Sequence, residues 1–409
     1  MTSPDATTKA LNDFAQGVKI SIVDLVNSIV EKAEESHASD IHIDPTPKET
    51  SVRMRIDGVL KLIYSLPKNI HQEIIARIKV LAKLRSDDHQ TTQDGRFRYQ
   101  KENSDSFIDI RVSIIPTYHG ENAVLRLLSD KGDSFTLENL GFSEDDQRKI
   151  LRALKKPNGM ILSTGPTGSG KTTTLYTLIK MLSTPDVSIV TIEDPIEYAM
   201  SGIKQIQINS KTGLTFANGL RSVLRQDPNI IMVGEIRDAE TARIAVNTAL
   251  TGHLLLSTLH TNDAATTLPR LLDMGIEEYL VASTVSIAIG QRLVRKICSH
   301  CKEKTEMSPA LKEYLLTQPL QSFFDEKAVL YRGRGCEKCN NSGYSGRLCI
   351  NEVLVADESI KKAILAKASS LDIQKIAEAS GMTTMFADGL KKVMAGQTTL
   401  DEIFRVIHE

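Results

Sequence analysis

The stretch that most constrains this 409-residue chain is a glycine-rich octapeptide, Gly165-Pro166-Thr167-Gly168-Ser169-Gly170-Lys171-Thr172. An apolar run at residues 160–162 precedes it, and residues 173–179 follow it with apolar side chains at helical spacing. A strand, a glycine-rich loop and a helix in this order are typical of a P-loop, in which backbone N–H groups and the helix N-terminus bind phosphate. The alternative, a glycine-rich turn with a solvated lysine, is disfavoured because the whole motif has the expected strand and helix around it. The sequence therefore predicts an α/β fold that binds a nucleoside triphosphate.

The residues of this loop have distinct expected tasks. Lys171 is expected to reach the β- and γ-phosphates, and Thr172 is expected to offer its hydroxyl to Mg²⁺. The predicted nucleotide-binding residues are Gly165, Pro166, Thr167, Gly168, Ser169, Gly170, Lys171, Thr172 and Thr173.

Size and composition indicate a globular protein of several domains. A chain of 409 residues suffices for two or three domains with separate cores. Its net charge of −1 gives no overall field that would attract nucleic acid or an anionic membrane. The apolar run at residues 279–290 is too short to span a membrane, and the amino terminus lacks the features of a signal peptide. We expect a cytoplasmic protein without direct nucleic-acid contact.

The first third of the chain predicts a small α+β domain with an arginine-rich sheet face. Segments with apolar residues at helical spacing are interspersed there with strand-like segments in which apolar and polar residues alternate. Asp57-Gly58 predicts a hairpin turn between two of these strands. Arg96 and Arg111 lie on the polar side of this pattern. Such arginines either form weak surface ion pairs or stabilise charge that develops on a γ-phosphate. Next to a P-loop domain, the second interpretation becomes relevant.

Polar clusters follow three further apolar, strand-like runs downstream of the P-loop. Their leading residues are Glu193 with Glu197, Glu235, and His260. Alternating helices and apolar strands predict a mostly parallel sheet, and ligands bind at the carboxyl edge of such sheets. Glu235 stands where a Walker B carboxylate would lie near the metal. Glu193 or Glu197 is expected to orient the attacking water, and His260 to contact the γ-phosphate.

Four of the five cysteines form two Cys-x-x-Cys pairs, Cys298 with Cys301 and Cys336 with Cys339. Four thiolates at this spacing suit tetrahedral Zn²⁺ in a closed structural site, with redox pairs or unmetallated thiols as the alternatives. Cys349 has no partner in the pattern and is expected to be buried.

The expected domain ranges are a flexible arm at 1–20, the α+β domain at 21–130, a linker at 131–140, a P-loop core at 141–295, a zinc-binding insert at 296–350 and a helical region at 351–409.

Taken together, these motifs resemble those of the type II secretion and type IV pilus assembly ATPases, which are RecA-like motors. The resemblance covers the chain from residue 22 to its end and includes arginine motifs, a Walker A loop, an Asp box, a Walker B segment and a His box. The matching segments outside the P-loop are residues 39–43, 53–58, 93–96, 111–113, 193–197, 234–238 and 252–260.

The resemblance implies a RecA-like P-loop NTPase core with a preceding α+β domain, a tetracysteine zinc insert and a small C-terminal helical bundle. It implies a cytoplasmic homo-hexamer, peripheral at the inner face of the cytoplasmic membrane, that docks on a platform protein and associated assembly proteins. ATP hydrolysis would drive pilin assembly or protein secretion, with ATP, Mg²⁺ and Zn²⁺ as cofactors. Arg96 and Arg111 match family positions that engage phosphate between two domains. Glu235 without a preceding aspartate matches the family's Walker B segment.

Two features of the resemblance bear on the kind of machine. Assembly ATPases carry a tetracysteine module that pilus retraction ATPases lack, which favours extension or secretion. Relatives usually have an additional amino-terminal domain that recruits the ring to its membrane partner, whereas about twenty residues precede Ile22 here. A truncated chain or a compact variant is therefore expected.

Two other functions compete with the secretion motor. The first is a zinc-dependent nucleic-acid-binding protein with a regulatory nucleotide site. Overall neutrality and 5% aromatic residues argue against it, because tracking a polyanion needs positive charge and stacking surfaces. The second is a conjugation-type DNA-transfer ATPase, which shares the P-loop but is not expected to carry the cysteine insert.

Overall fold

A computed structural model describes residues 21–100, 107–128, 135–306 and 329–407. The chain divides into two compact units, Met1–Lys131 and Gly132–Glu409. The predicted flexible arm at 1–20 lies outside the described residues.

The described residues of the first unit form a six-stranded antiparallel sheet in the order β3-β2-β1-β6-β5-β4 and two α-helices. Apolar residues of both helices share one core with the buried sides of the strands, so the helices cover one sheet face. The elements are α1 (Ile22–Glu35), β1 (Ala38–Pro45), β2 (Glu49–Ile56), β3 (Val59–Pro67), α2 (His71–Leu81), β4 (Gln93–Gln100), β5 (Phe107–Thr117) and β6 (Gly120–Leu128).

Local sequence explains these elements. Ser21 caps α1 by accepting a hydrogen bond from the Asp24 N–H at 3.1 Å. Strand β2 alternates between buried and half-buried residues, as its sequence predicts. Asp57 and Gly58 take φ values of 50° and 85° between β2 and β3, which is the conformation that a two-residue hairpin requires. The predicted hairpin is confirmed.

The second unit is built on a seven-stranded sheet in the order β15-β12-β7-β11-β10-β8-β9. Every pairing in it is parallel except that of β12 with β15, so the predicted, mostly parallel sheet is confirmed. Its elements up to β12 are α3 (Leu137–Leu140), α4 (Glu144–Leu154), β7 (Gly159–Thr164), α5 (Lys171–Leu182), β8 (Ile189–Glu193), β9 (Lys204–Gln207), α6 (Phe216–Val223), β10 (Ile230–Val233), α7 (Ala239–Leu250), β11 (Leu254–Leu259), α8 (Thr267–Asp273), α9 (Glu278–Thr284) and β12 (Val285–Ile297).

Helices cover both faces of this sheet. Alternate residues of β7 show the arrangement, because Ile161 packs with α4 and α5 whereas Leu162 packs with α6 and α7. The remaining elements are β13 (Lys302–Thr305), β14 (Leu330–Gly333), β15 (Tyr344–Val355), α10 (Glu358–Leu365), α11 (Ser370–Ala379), α12 (Met385–Met394) and α13 (Leu400–Ile407).

Three predicted boundaries differ from these elements. The predicted linker at 131–140 contains helix α3, and Leu137 and Leu140 are buried in the core of the second unit. Strand β12 runs through the boundary predicted at 295/296, and β15 runs through the one at 350/351. Both strands continue because they pair with each other over their whole length and β12 also pairs with β7, so backbone hydrogen bonding overrides the change in composition.

The C-terminal helices are present, but they do not form one bundle. Helices α10 and α11 contribute to the core that α6 and α7 share, whereas α12 and α13 pack on β12, β14 and β15. The sequence Thr399-Leu400-Asp401-Glu402 before α13 is typical of a capping box, but only half of the box forms. Thr399 Oγ1 accepts from the Glu402 N–H at 3.4 Å, but the Glu402 carboxylate accepts from the Arg295 N–H at 2.9 Å. A tertiary partner, the half-buried Arg295, has replaced the local one.

Candidate nucleotide site and metal centre

The P-loop connects β7 to α5 through three glycines with positive φ. The φ values are 141° at Gly165, 81° at Gly168 and 89° at Gly170, and Gly170 is the N-cap of α5. A Cβ on Gly165 would lie 2.4 Å from the backbone oxygen of Gln291 in β12. The loop therefore runs against a neighbouring strand so closely that only glycine fits its first position.

Lys171 is held inside this loop. It is only 8% exposed, and its Nζ donates to the carbonyl oxygens of Gly165 and Pro166 at 2.8 and 2.9 Å. Burial lowers the pKa of Lys171 to about 8, although the negative charge of Glu235 acts in the opposite direction. A desolvated ammonium on a glycine-rich loop at a helix N-terminus can bind phosphate. Thr172 and Thr173 are half-buried in the first turn of α5.

Glu235 lies just after β10, beside the end of the neighbouring parallel strand β11. Its carboxylate accepts hydrogen bonds from His260 Nε2 at 3.0 Å and pairs with Arg237 at 2.6 Å. Burial raises the pKa of Glu235, but the hydrogen bonds from Arg237 and His260 outweigh it and leave the pKa below its ordinary value. The structure thus brings two predicted residues, Glu235 and His260, into contact, with Glu235 as a charged carboxylate.

Glu193 has different surroundings at the end of β8. It is 2% exposed and accepts hydrogen bonds from Tyr176, from Thr191 Oγ1 at 2.5 Å and from Gln205 Nε2 at 3.2 Å. Burial raises the pKa of Glu193 above its usual range. Glu197 is half-buried, and its backbone N–H donates to Tyr176 Oη at 3.4 Å.

The two glutamates therefore differ in their partners. Glu235 contacts the exposed side chains of Arg237 and His260, whereas Glu193 is enclosed by the neutral hydrogen-bonding side chains of α5, β8 and β9. Sequence reasoning missed Tyr176, because its place in the apolar repeat of α5 indicates packing only. It also missed Gln291, which lies far downstream of the loop that it contacts.

Arg96 and Arg111 belong to the first unit and are direct cross-strand partners on β4 and β5. The same row continues through Arg126 on β6 to Asp40 on β1. Asp40 is 5% exposed and accepts from Arg126 Nε at 2.8 Å. Arg96 is exposed, and within the described ranges it forms no ion pair. Its guanidinium is therefore available to an anion.

The four cysteines of the two pairs form one cluster in the second unit, with all Sγ atoms within 4.8 Å of one another. The Sγ–Sγ distances are 3.9 Å from Cys298 to Cys336, 3.8 Å from Cys301 to Cys339 and 3.7 Å from Cys336 to Cys339. Four sulfurs bound at about 2.3 Å to tetrahedral Zn²⁺ lie about 3.8 Å apart. The donor set and its geometry therefore fit a structural zinc site.

His300 and Cys349 lie outside this cluster. His300 is exposed and is not part of the cluster. Cys349 is 1% exposed on β15, as predicted for a structural residue.

Among the residues that the structure describes, no helix combines the length and apolar character needed to cross a membrane.

Comparison with known proteins gives the family. The family model described as "Type II/IV secretion system protein" matches residues 16–405. The type II secretion system protein E of Xanthomonas campestris pv. campestris is 46% identical over 401 residues, which are 98% of this chain and 70% of the relative. The type IV pilus assembly ATPase PilB of Thermus thermophilus is 45% identical over 378 residues, which cover 92% of this chain and 42% of the relative.

Solved structures agree with the fold. The pilus retraction motor PilT, solved with bound ADP, has a TM-score of 0.64 and 26% identity, over 95% of this chain and 97% of that one. The Legionella pneumophila ATPase DotB has a TM-score of 0.69 and 22% identity, over 96% of this chain and 97% of that one. The chain therefore belongs to the type II/IV secretion system protein family and is an ATP-hydrolysing ATPase of the type II secretion and type IV pilus class.

Proposed function

We propose that this chain is the motor subunit of a type II secretion or pilus-extension machine and that Glu235 is its catalytic carboxylate. The observation that carries the assignment is the grouping of Glu235, His260 and Arg237 at the carboxyl edge of the sheet. Burial lowers the pKa of Lys171, and the negative charge of Glu235 partly offsets that effect. A charged carboxylate in this position suits the orientation of a water molecule at a γ-phosphate.

The other predicted site residues receive distinct proposed roles. Lys171 and the backbone N–H groups of Gly165 and residues 167–173 bind the phosphates. The Thr172 hydroxyl is the proposed Mg²⁺ ligand, and Mg²⁺ supplies charge neutralisation when bound. His260 contacts the γ-phosphate while it orients Glu235. The surroundings of Glu193 favour a positioning role, in which its bonds with Tyr176 hold the segment that carries Glu197.

Arg96 and Arg111 are proposed to neutralise charge that develops on the γ-phosphate during transfer. The exposed guanidinium of Arg96 supports this role, because an arginine already paired with a carboxylate would have less attraction for phosphate. The domain ranges predicted from the sequence remain part of the proposal, with the changes that α3, β12 and β15 require.

We further propose a homo-hexamer in the cytoplasm, at the inner face of the membrane, bound to a platform protein and its assembly partners. The four-cysteine cluster supports extension or secretion over retraction. Mass photometry with a non-hydrolysable ATP analogue tests the oligomer, and a persistent monomer would contradict it.

Two substitutions test the catalytic assignment. Lys171→Ala should abolish both nucleotide binding and ATP turnover, because it removes the phosphate-facing ammonium. Glu235→Gln should bind Mg–ADP normally but lose about a hundredfold in kcat, since the loss of a base or water-positioning group costs 10²–10⁴ in rate. Glu240→Gln is the matched control, because Glu240 is exposed and pairs with Arg221 at 2.6 Å. Wild-type turnover in Glu235→Gln would refute the assignment.

A further inference from the structure

Gln291 lies on β12 and is fully buried beside the P-loop. Its Nε2 donates to the carbonyl oxygen of Ser169 at 2.8 Å, and its Oε1 accepts from Ser163 Oγ at 3.3 Å. Nε2 also lies 3.7 Å from Cys349 Sγ on β15. The Ser163 hydroxyl and the two acceptors fix which way the amide faces.

The backbone and side chain of Gln291 contact both ends of the glycine loop. A Cβ on Gly165 would lie 2.4 Å from the Gln291 carbonyl oxygen, and one on Gly170 would lie 3.1 Å from its Nε2. The residue therefore lies against the loop at both Gly165 and Gly170. A partner with a different side-chain length would not satisfy all of these contacts.

The bond to Ser169 has a consequence for phosphate binding. In a trans peptide, the carbonyl oxygen and the following N–H point in opposite directions. Fixing the Ser169 carbonyl toward β12 therefore turns the Gly170 N–H away from β12. Gly170 has no side chain and φ of 89°, so its peptide can rotate easily without an external restraint.

We propose that Gln291 is a positioning residue for nucleotide binding, which orients the Ser169–Gly170 peptide so that its N–H faces the phosphates. The proposal rests on the proposed P-loop site and adds a residue from outside the motif. Substitution should weaken nucleotide binding more than it changes kcat, because the restraint acts on the phosphate cradle and not on the water-activating groups.

Two variants separate positioning from packing. Gln291→Met keeps length and burial but cannot donate a hydrogen bond, so the Kd for Mg–ADP should rise about tenfold, the effect of one lost buried hydrogen bond. Gln291→Glu keeps the shape, but its carboxylate cannot donate when charged. Burial raises the pKa of such a carboxyl, and the protonated form donates again.

The pH dependence of Gln291→Glu is therefore the decisive readout. Its Kd relative to wild type should recover as the pH falls from 8 to 6, while that of Gln291→Met stays constant. The titratable groups nearby are Lys171, whose pKa burial lowers to about 8, and Cys349, whose pKa burial raises to about 12. The Kd of each variant is divided by the wild-type Kd at the same pH, so that the titration of Lys171 and Cys349 in the wild type is taken into account.

Gln147→Met is the matched control, because Gln147 Nε2 also donates to a backbone carbonyl, that of Phe142, at 2.8 Å. It should leave the Kd within twofold of wild type. Binding within twofold of wild type in Gln291→Met, together with no pH dependence in Gln291→Glu, would overturn the proposal. If Gln291→Met fails to fold, the Gln291→Glu profile alone decides between the two outcomes. Wild-type protein that does not bind Mg–ADP would instead refute the P-loop site itself.

Discussion

The Glu402→Gln substitution should destabilise the last helix by about 3 kcal/mol. Glu402 is 1% exposed and accepts hydrogen bonds from the Arg295 N–H and guanidinium at 2.9 and 2.7 Å. Arg405 donates two more, at 3.0 and 2.7 Å. Burial raises the pKa of Glu402, but these bonds lower it from 4.5 to about 2. This difference in pKa between the folded and the unfolded chain corresponds to about 3 kcal/mol.

Native-state hydrogen exchange measured by mass spectrometry is the suitable assay, because it reports the opening of α13 separately from the rest of the chain. The amides of Leu400–Ile407 should exchange faster in Glu402→Gln by about two orders of magnitude, which corresponds to that free energy. Glu358→Gln is the matched control. Glu358 pairs with Lys361 at 2.8 Å, but its side chain is 81% exposed, so its substitution should leave the exchange rates of α13 unchanged.

The pH dependence has a definite sign. The pKa of Glu402 is lower in the folded chain than in the unfolded one, so its stabilisation is present above pH 4.5. It is lost as the pH falls from 4.5 to about 2. The glutamine variant has no charge to lose and should show no such decline in α13. Wild-type exchange rates in Glu402→Gln at pH 7 would show that the Arg295–Glu402–Arg405 cluster does not stabilise this helix.

Two further predictions concern the glycine loop and the cysteines. Gly165→Ala should abolish Mg–ADP binding in a fluorescence titration, because its Cβ would lie 2.4 Å from the Gln291 backbone oxygen. Gly168→Ala has nothing within 4 Å of its Cβ, so its affinity for Mg–ADP should fall only about tenfold, through left-handed backbone strain of about 1–2 kcal/mol. Equal effects of the two substitutions would contradict the packing argument. Cys336→Ser should lower bound zinc, measured by plasma mass spectrometry, while the Kd for Mg–ADP stays within about threefold; wild-type protein without zinc would refute the metal site.

The features that the sequence predicted correctly depend on neighbouring residues. Asp57-Gly58 determines its hairpin because both residues tolerate positive φ. The P-loop is recognisable because a single segment carries its strand, glycines and helix start. The cysteine pairs are predictable because a knuckle places two ligands close together in the chain. In each case, the chemistry needs only a few consecutive residues.

The features that the sequence did not predict depend on distant pairings. Nothing around Gln291 indicates that its amide reaches Ser169, since that contact follows from the pairing of β12 with β7. The same holds for Glu193, whose neutral partners come from three elements. Glu402 fits a capping box in the sequence, but the half-buried Arg295 competes for its carboxylate. Local patterns cannot rank such competing partners.

The position of the cysteine cluster follows from the ribbon that β12 and β15 form. The ribbon pairs from Ile287 with Val355 at one end to Ile297 with Tyr344 at the other. Cys298 follows β12 directly, and Gly343 immediately precedes β15. The four-cysteine cluster contains residues of the segment that leaves β12 and of the segment that enters β15, so it links the two strands at this end of the ribbon. Because Gln291 lies on the same strand and is bonded to the phosphate loop, the cysteine cluster and the glycine loop both contact the ribbon of β12 and β15. A change in the Ser169–Gly170 peptide must therefore displace the ribbon or break the bond from Gln291.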